Sequence, residues 1–124
     1  MLDEFVIRKL CKLFNVLSNE VRIRIIYTLM EKKSLTVTEI SDELGIPQNT
    51  LSAHLKVLYD GAYIDKDQKW RNVHYCIREE KLKKILEEGT QILYDKWEGN
   101  WEKIAEAKKT IKKVSNSKKQ SGGK

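Results

Sequence analysis

Gln48, Asn49, Ser52, Ala53 and Lys56 are separated by alternating steps of one and three residues, so on a helix they share one side. Their types match the edges of nucleic-acid bases. Gln and Asn can donate to and accept from adenine at once, Ser adapts to several bases, and Ala can touch a thymine methyl. Lys56, with Lys69 and Arg71 further along, suits phosphate oxygens, and Thr38 and Thr50 add hydroxyl donors. Polar residues at this spacing also describe an ordinary solvated helix face. The elements around them must decide.

A helix over residues 47–60 puts Leu51, Leu55 and Leu58 on the side opposite the polar set. Pro47 starts it, having no amide hydrogen to leave unpaired and a helical φ, and Gly61 stops it. Upstream, Thr36 and Glu39 have capping-box spacing, and the short helix they open turns Val37, Ile40 and Leu44 to one face. Gly45 can take the left-handed conformation that ends this helix. Two short helices joined so tightly cross steeply, which lets the second enter a DNA major groove while the first braces it. The period then changes. Residues 62–66 and 72–77 read as strands, with Val73, Tyr75 and Ile77 alternating onto one face. Residues 67–71 form a polar tip, on which Trp70 could pack back on the strands or meet DNA sugar.

At the amino end, Leu2, Phe5, Val6, Leu10, Leu13, Phe14 and Leu17 mark a helix at about 2–17. A second helix follows the cap residues Ser18 and Asn19 and turns Val21, Ile25, Ile26, Leu29 and Met30 inward. At the other end a long helix is expected over residues 79–114, with Leu82, Leu86, Gly89, Leu93, Trp97, Trp101, Ile104, Lys108 and Ile111 every three or four residues. Large apolar side chains one turn apart on a lone terminal helix need a partner, and Trp97 and Trp101 are best explained by a dimer seam. Residues 115–124 have nothing to bury and are expected to be a disordered basic tail. The fold class is therefore mainly α with a small β-hairpin, one winged helix-turn-helix domain over 1–114 whose long last helix serves dimerisation.

The formal net charge of +6 needs dissection before it implies a partner. Residues 108–124 carry seven lysines and no acid, which leaves 17 basic against 18 acidic residues in the rest. Between Pro47 and Arg78, however, Lys56, Lys66, Lys69, Arg71 and Arg78 outnumber Asp60, Asp65 and Asp67. The local excess, not the overall charge, favours DNA. Cys11 and Cys76 form no CxxC pair, and no apolar run approaches the roughly 20 residues of a membrane span. The amino end lacks the basic start of a signal peptide, so a cytoplasmic protein with free thiols and no membrane partner is expected. Phosphate-binding glycine loops, HExxH and GxSxG are absent, which argues against an enzyme.

The stretch from Leu13 to Ile77, most specifically Ser52-Ala53-His54-Leu55-Lys56-Val57-Leu58 followed by Gly61 and a strand, resembles the ArsR family of bacterial and archaeal winged-helix regulators. The resemblance implies that helix 47–60 is the recognition helix and residues 65–72 the wing. It also implies a homodimeric repressor paired through its first and last helices, here through Phe5, Leu86, Leu93, Trp97, Trp101 and Ile104. Two recognition helices about one DNA turn apart, roughly 34 Å, then predict a pseudo-palindromic operator. Many members sense metals through cysteines before the turn or through Asp, His and Glu on the last helix. This chain has Thr36-Val37-Thr38 at the first place and no histidine after position 78, so no metal effector and no cofactor are expected. His54 then reads as a packing or cap-like residue. His74 and Cys76, at i and i+2, read as plain strand positions rather than metal ligands, and Cys11 as a buried, inert thiol. The rivals are a winged-helix module that binds protein through its long helix and an abundant architectural protein that coats DNA without preference.

Overall fold

The computed structural model describes residues 2–96, 105–107 and 109. The chain divides into two compact units, Met1–Arg78 and Glu79–Lys124.

The first unit holds helices α1 (Glu4–Leu17) and α2 (Glu20–Lys32), strand β1 (Ser34–Thr36), helices α3 (Val37–Leu44) and α4 (Gln48–Asp60), and strands β2 (Ile64–Lys69) and β3 (Asn72–Ile77). Asp3 caps α1 by accepting the Val6 amide at 2.8 Å, so the helix begins two residues later than the apolar pattern suggests. Asn19 caps α2 through Arg22 N at 3.0 Å. The core is a single apolar cluster of Leu17, Ile25, Ile26, Leu29, Met30, Ile40, Leu51, Leu55, Leu58 and Ile64. Every helix pattern that the sequence turned inward contributes to it, although Val21, Val37 and Leu44 are only half-buried.

The sheet has three antiparallel strands in the order β1-β3-β2, where the sequence pattern gave two. The additional strand is three residues long, too short to show a period. Its last residue, Thr36, is also the α3 N-cap, and it pairs with His74. The hairpin also differs from expectation. Residues 62 and 63 belong to the end of α4, because Ala62 N donates to Tyr59 O at 2.9 Å and Tyr63 N to Leu58 O at 3.0 Å. That pair of bonds is a Schellman cap. Its left-handed residue is Ala62, φ 63°, while Gly61 keeps φ −82°. Gly61 is needed for another reason: a Cβ there would collide with the Tyr63 ring. Past the cap, β2 and β3 stay paired out to Lys69↔Asn72, so the polar tip shrinks from five residues to the two-residue loop Trp70-Arg71.

In the second unit the described helix α5 runs Leu82–Lys96, with residues 105–107 also helical. It starts three residues later than expected, because Glu79, Glu80 and Lys81 form a turn in which Glu79 accepts the Lys81 amide. Trp97, Trp101 and Ile104 lie outside the described residues, as do residues 115–124. No helix among the described residues is long and apolar enough to cross a membrane.

Candidate nucleic-acid interface

The helix pair is set by its termini. Thr36 Oγ1 accepts the Glu39 amide at 3.2 Å and Glu39 Oε1 accepts the Thr36 amide at 3.0 Å, so the capping box is complete. These bonds hold the Glu39 carboxyl below its ordinary value, the backbone amide of Thr36 contributing most. Gly45 closes α3 at φ 67° and ψ 29°, its amide donating to Ser41 O at 2.8 Å. Ser41 Oγ then donates to Ile46 O at 2.7 Å, which braces the turn from inside. Pro47 sits one position earlier than expected, as the N-cap with ψ 144°, and α4 follows at Gln48.

With Leu51, Leu55 and Leu58 essentially inaccessible, the other side of α4 is free. Gln48, Asn49, Thr50, Ser52, Ala53 and Lys56 are all exposed, as are Thr38 on α3 and Lys69 and Arg71 on the hairpin. The sequence-derived set therefore lies on the surface of the first unit. Several members already have partners. Gln48 Nε2 donates to Thr38 Oγ1 at 3.1 Å, which joins the two helices across the turn. Asn49 Oδ1 accepts the Thr50 amide at 2.9 Å, and Ser52 Oγ donates to Gln48 O at 2.8 Å.

The cations divide into two groups. Lys56 is paired with Asp60 at 2.8 Å, a hydrogen bond and charge that raise the lysine above its ordinary value. Arg78 lies 3.6 Å from Asp65, and Lys66 Nζ stands 4.3 Å over the Tyr59 ring. Lys69 and Arg71, by contrast, have no side-chain partner among the described residues. Between α4 and the sheet, Ser52, Lys56, Tyr59, Lys66 and Tyr75 line an open recess of about 230 Å³. Sequence spacing did not single out Lys66 or Tyr59. The signal was the pairing register, which sets Lys66 opposite Tyr75 beside the end of α4.

His54 is half-buried, and its Nδ1 lies 3.3 Å from Arg22 Nη1. A guanidinium only donates, so the imidazole nitrogen accepts. The same arginine donates to Val16 O at 2.7 Å and Asn15 O at 3.2 Å at the end of α1. His54 is thus a packing residue that ties α4 to the first two helices. Cys11 is exposed, against expectation, because α1 buries only Leu17 and half-buries Leu13 and Val16, all near its carboxyl end. Phe5 is 65% exposed, Leu93 is exposed, and Leu86 is half-buried. No three His, Cys, Asp or Glu side chains gather as a metal site among the described residues.

The model of the bacterial regulatory protein arsR family matches residues 19–66, which span α2 to the middle of β2. An HTH-type transcriptional regulator of Methanocaldococcus jannaschii is 31% identical over 80 residues, covering 63% of this chain and 88% of that protein. The arsenical resistance operon repressor of Bacillus subtilis is 29% identical over 82 residues, covering 66% of this chain and 78% of its own. The crystal structure of the transcriptional repressor PagR of Bacillus anthracis superposes with a TM-score of 0.59 at 25% identity, over 68% of this chain and 95% of that one. The helix pair, the wing and these similarities agree: the chain belongs to the ArsR family, winged helix-turn-helix regulators that bind DNA rather than catalyse a reaction.

Proposed function

We propose that this chain is a homodimeric, sequence-specific repressor that reads a pseudo-palindromic operator through α4 and the wing at residues 65–72. The observation that carries this is the two-sidedness of α4. Its leucine stripe is wholly buried, while Gln48, Asn49, Ser52, Ala53 and Lys56 face outward together. Gln48, Asn49, Ser52 and Ala53 read bases, and Thr38, Thr50, Lys56, Lys69 and Arg71 hold the backbone. Residues 1–114 form the DNA-binding and dimerisation unit. Support for pairing comes from α1, which leaves Phe5, Ile7, Leu10 and Phe14 exposed, and from exposed Ile92 and Leu93 on α5. Sequence spacing extends that second seam to Trp97, Trp101 and Ile104. No metal effector belongs to this function, since Thr36-Val37-Thr38 supplies no thiolate before the turn.

Selection of bound sequences from a random DNA pool, followed by a footprint, tests specificity, half-site spacing and symmetry together. On the selected site, Gln48→Ala or Asn49→Ala costs about 1–3 kcal/mol and relaxes base preference. Lys69→Ala or Arg71→Ala weakens cognate and random DNA alike and flattens the salt dependence. Equal behaviour of the two pairs on both DNAs refutes this division. A monomer by sedimentation at working concentration refutes the pairing.

A further inference from the structure

Three observations meet at the tip of the β2–β3 hairpin. Trp70 is 96% exposed, the largest of the apolar side chains left in solvent among the described residues. An indole can bury about 150–250 Å² and so dominate a contact, yet here it contributes almost nothing to the core. Its backbone is also unusual. Trp70 and Arg71 are the two loop residues, and Trp70 alone of them has positive φ, at 61°. That sign pattern belongs to a type II′ turn, in which glycine is the residue that fits at the first position. A bulky L-residue there is strained. Finally, the flanking Lys69 and Arg71 both lack a side-chain partner among the described residues, unlike Lys56, Lys66 and Arg78 nearby. Glycine would make this turn without strain and without an exposed indole, so folding gains nothing from Trp70.

We propose that Trp70 is itself a DNA contact, its indole lying against the deoxyribose walls of the minor groove beside the half-site while Lys69 and Arg71 hold the neighbouring phosphates. The inference rests on the DNA-binding role of α4 and the wing. Along a groove wall, apolar sugar faces alternate with anionic phosphates, and an indole between two unpaired cations is the complement of that pattern. Sugar contacts position a protein without reporting sequence. The indole N–H adds one donor for a phosphate or sugar oxygen.

The test uses the full chain as wild type and as Trp70→Ala, Trp70→Gly and Trp70→Phe, on the selected operator and on a random fragment. Trp70→Ala weakens both DNAs by the same factor, about tenfold per site, as expected for returning roughly 50 Å² of apolar surface to water. The salt slope is unchanged, because no ionic contact is lost. Trp70→Gly weakens binding too but raises the melting temperature, opposite signs that a structural role would not give. The emission that wild type has and Trp70→Phe lacks becomes protected from acrylamide when DNA is added. Affinities within twofold of wild type with an unprotected indole overturn the proposal, and if Gln48→Ala still loses base preference, the α4 assignment survives. A Trp70→Gly variant that melts earlier also overturns it, as does a loss confined to the operator with relief of a DNA bend, the mark of a wedge between bases. Wild type that binds neither DNA sinks the DNA-binding role beneath it.

Discussion

Replacing Arg22 by Ala should cost about 2–4 kcal/mol of stability, and the figure can be worked from its three contacts. Nε donates to Val16 O at 2.7 Å, Nη2 to Asn15 O at 3.2 Å, and Nη1 to His54 Nδ1 at 3.3 Å. Both carbonyls lie in the last turn of α1, where backbone acceptors have no helical partner and a cation faces the negative end of the helix dipole. The losses are unequal. Asn15 O keeps two other donors, the Ser18 amide at 3.2 Å and Ser18 Oγ at 2.8 Å. Val16 O loses a short, part-buried charged bond, worth about 1.5–3 kcal/mol, and this dominates. The long His54 contact adds about 0.5–1 kcal/mol. Urea unfolding at several protein concentrations is the assay, since pairing of chains makes the midpoint concentration-dependent. An unchanged m-value shows that the native state is the same. Arg22→Lys keeps the charge on a single nitrogen that can reach one of the acceptors and should recover about half of the loss, and a double-mutant cycle with His54→Ala isolates the link to α4. A loss below about 0.5 kcal/mol, or no coupling to His54, refutes the clamp.

Gly45→Ala should destabilise by about 1 kcal/mol with no steric part, because no atom lies within 4 Å of the added Cβ and only the φ of 67° is penalised; thermal melts check it. Ala62→Gly should stabilise by about 0.5–1 kcal/mol, since Ala62 occupies the left-handed position of the α4 cap. For Glu39 the folded carboxyl lies below its ordinary 4.5, so the capping box contributes fully above that value. Its contribution fades as pH falls through the lower folded value, and Glu39→Gln should flatten this acid limb in melts taken across the range. Asp60→Asn removes the partner of Lys56 and should tighten operator and random DNA alike at low salt, read by anisotropy titration.

Wherever one residue type had a single local solution, the sequence was a reliable guide. Thr36 and Glu39 form the expected box, Gly45 takes the left-handed turn, and Leu51, Leu55 and Leu58 are buried as their spacing requires. The exposed polar face of α4 followed, since fixing one face of a helix fixes the other. What escaped notice depended on pairing across the chain. β1 is defined by β3, thirty-eight or more positions downstream, and carries no period of its own. The length of β2 is likewise set by β3, because Asp65, Lys66, Asp67, Gln68 and Lys69 are too uniformly polar to alternate. Gly61 drew attention as the helix stop, yet Ala62 takes the left-handed conformation, and only the Tyr63 ring explains the glycine. Cys11 looked buried because its neighbours are apolar, but α1 packs by its carboxyl end alone.

The placement of charge explains how one small surface could separate affinity from recognition. On the outward side of α4, Gln48, Asn49, Ser52 and Ala53 are neutral, and the only cation, Lys56, is matched by Asp60. A face so nearly neutral gains little from merely approaching a polyanion. Its amides and hydroxyls must instead exchange their internal partners, such as the Gln48 bond to Thr38, for base edges, which rewards only a matching sequence. Lys69 and Arg71, which have no side-chain partner among the described residues, stand apart at the end of the hairpin, where backbone contact would need no particular base. On the proposed reading, attraction concentrated on the wing and discrimination on the helix would give a protein that holds DNA weakly anywhere and tightly at one site. If the cations lay on α4 instead, the same affinity would be spread over every sequence, and the neutral residues would have nothing left to decide.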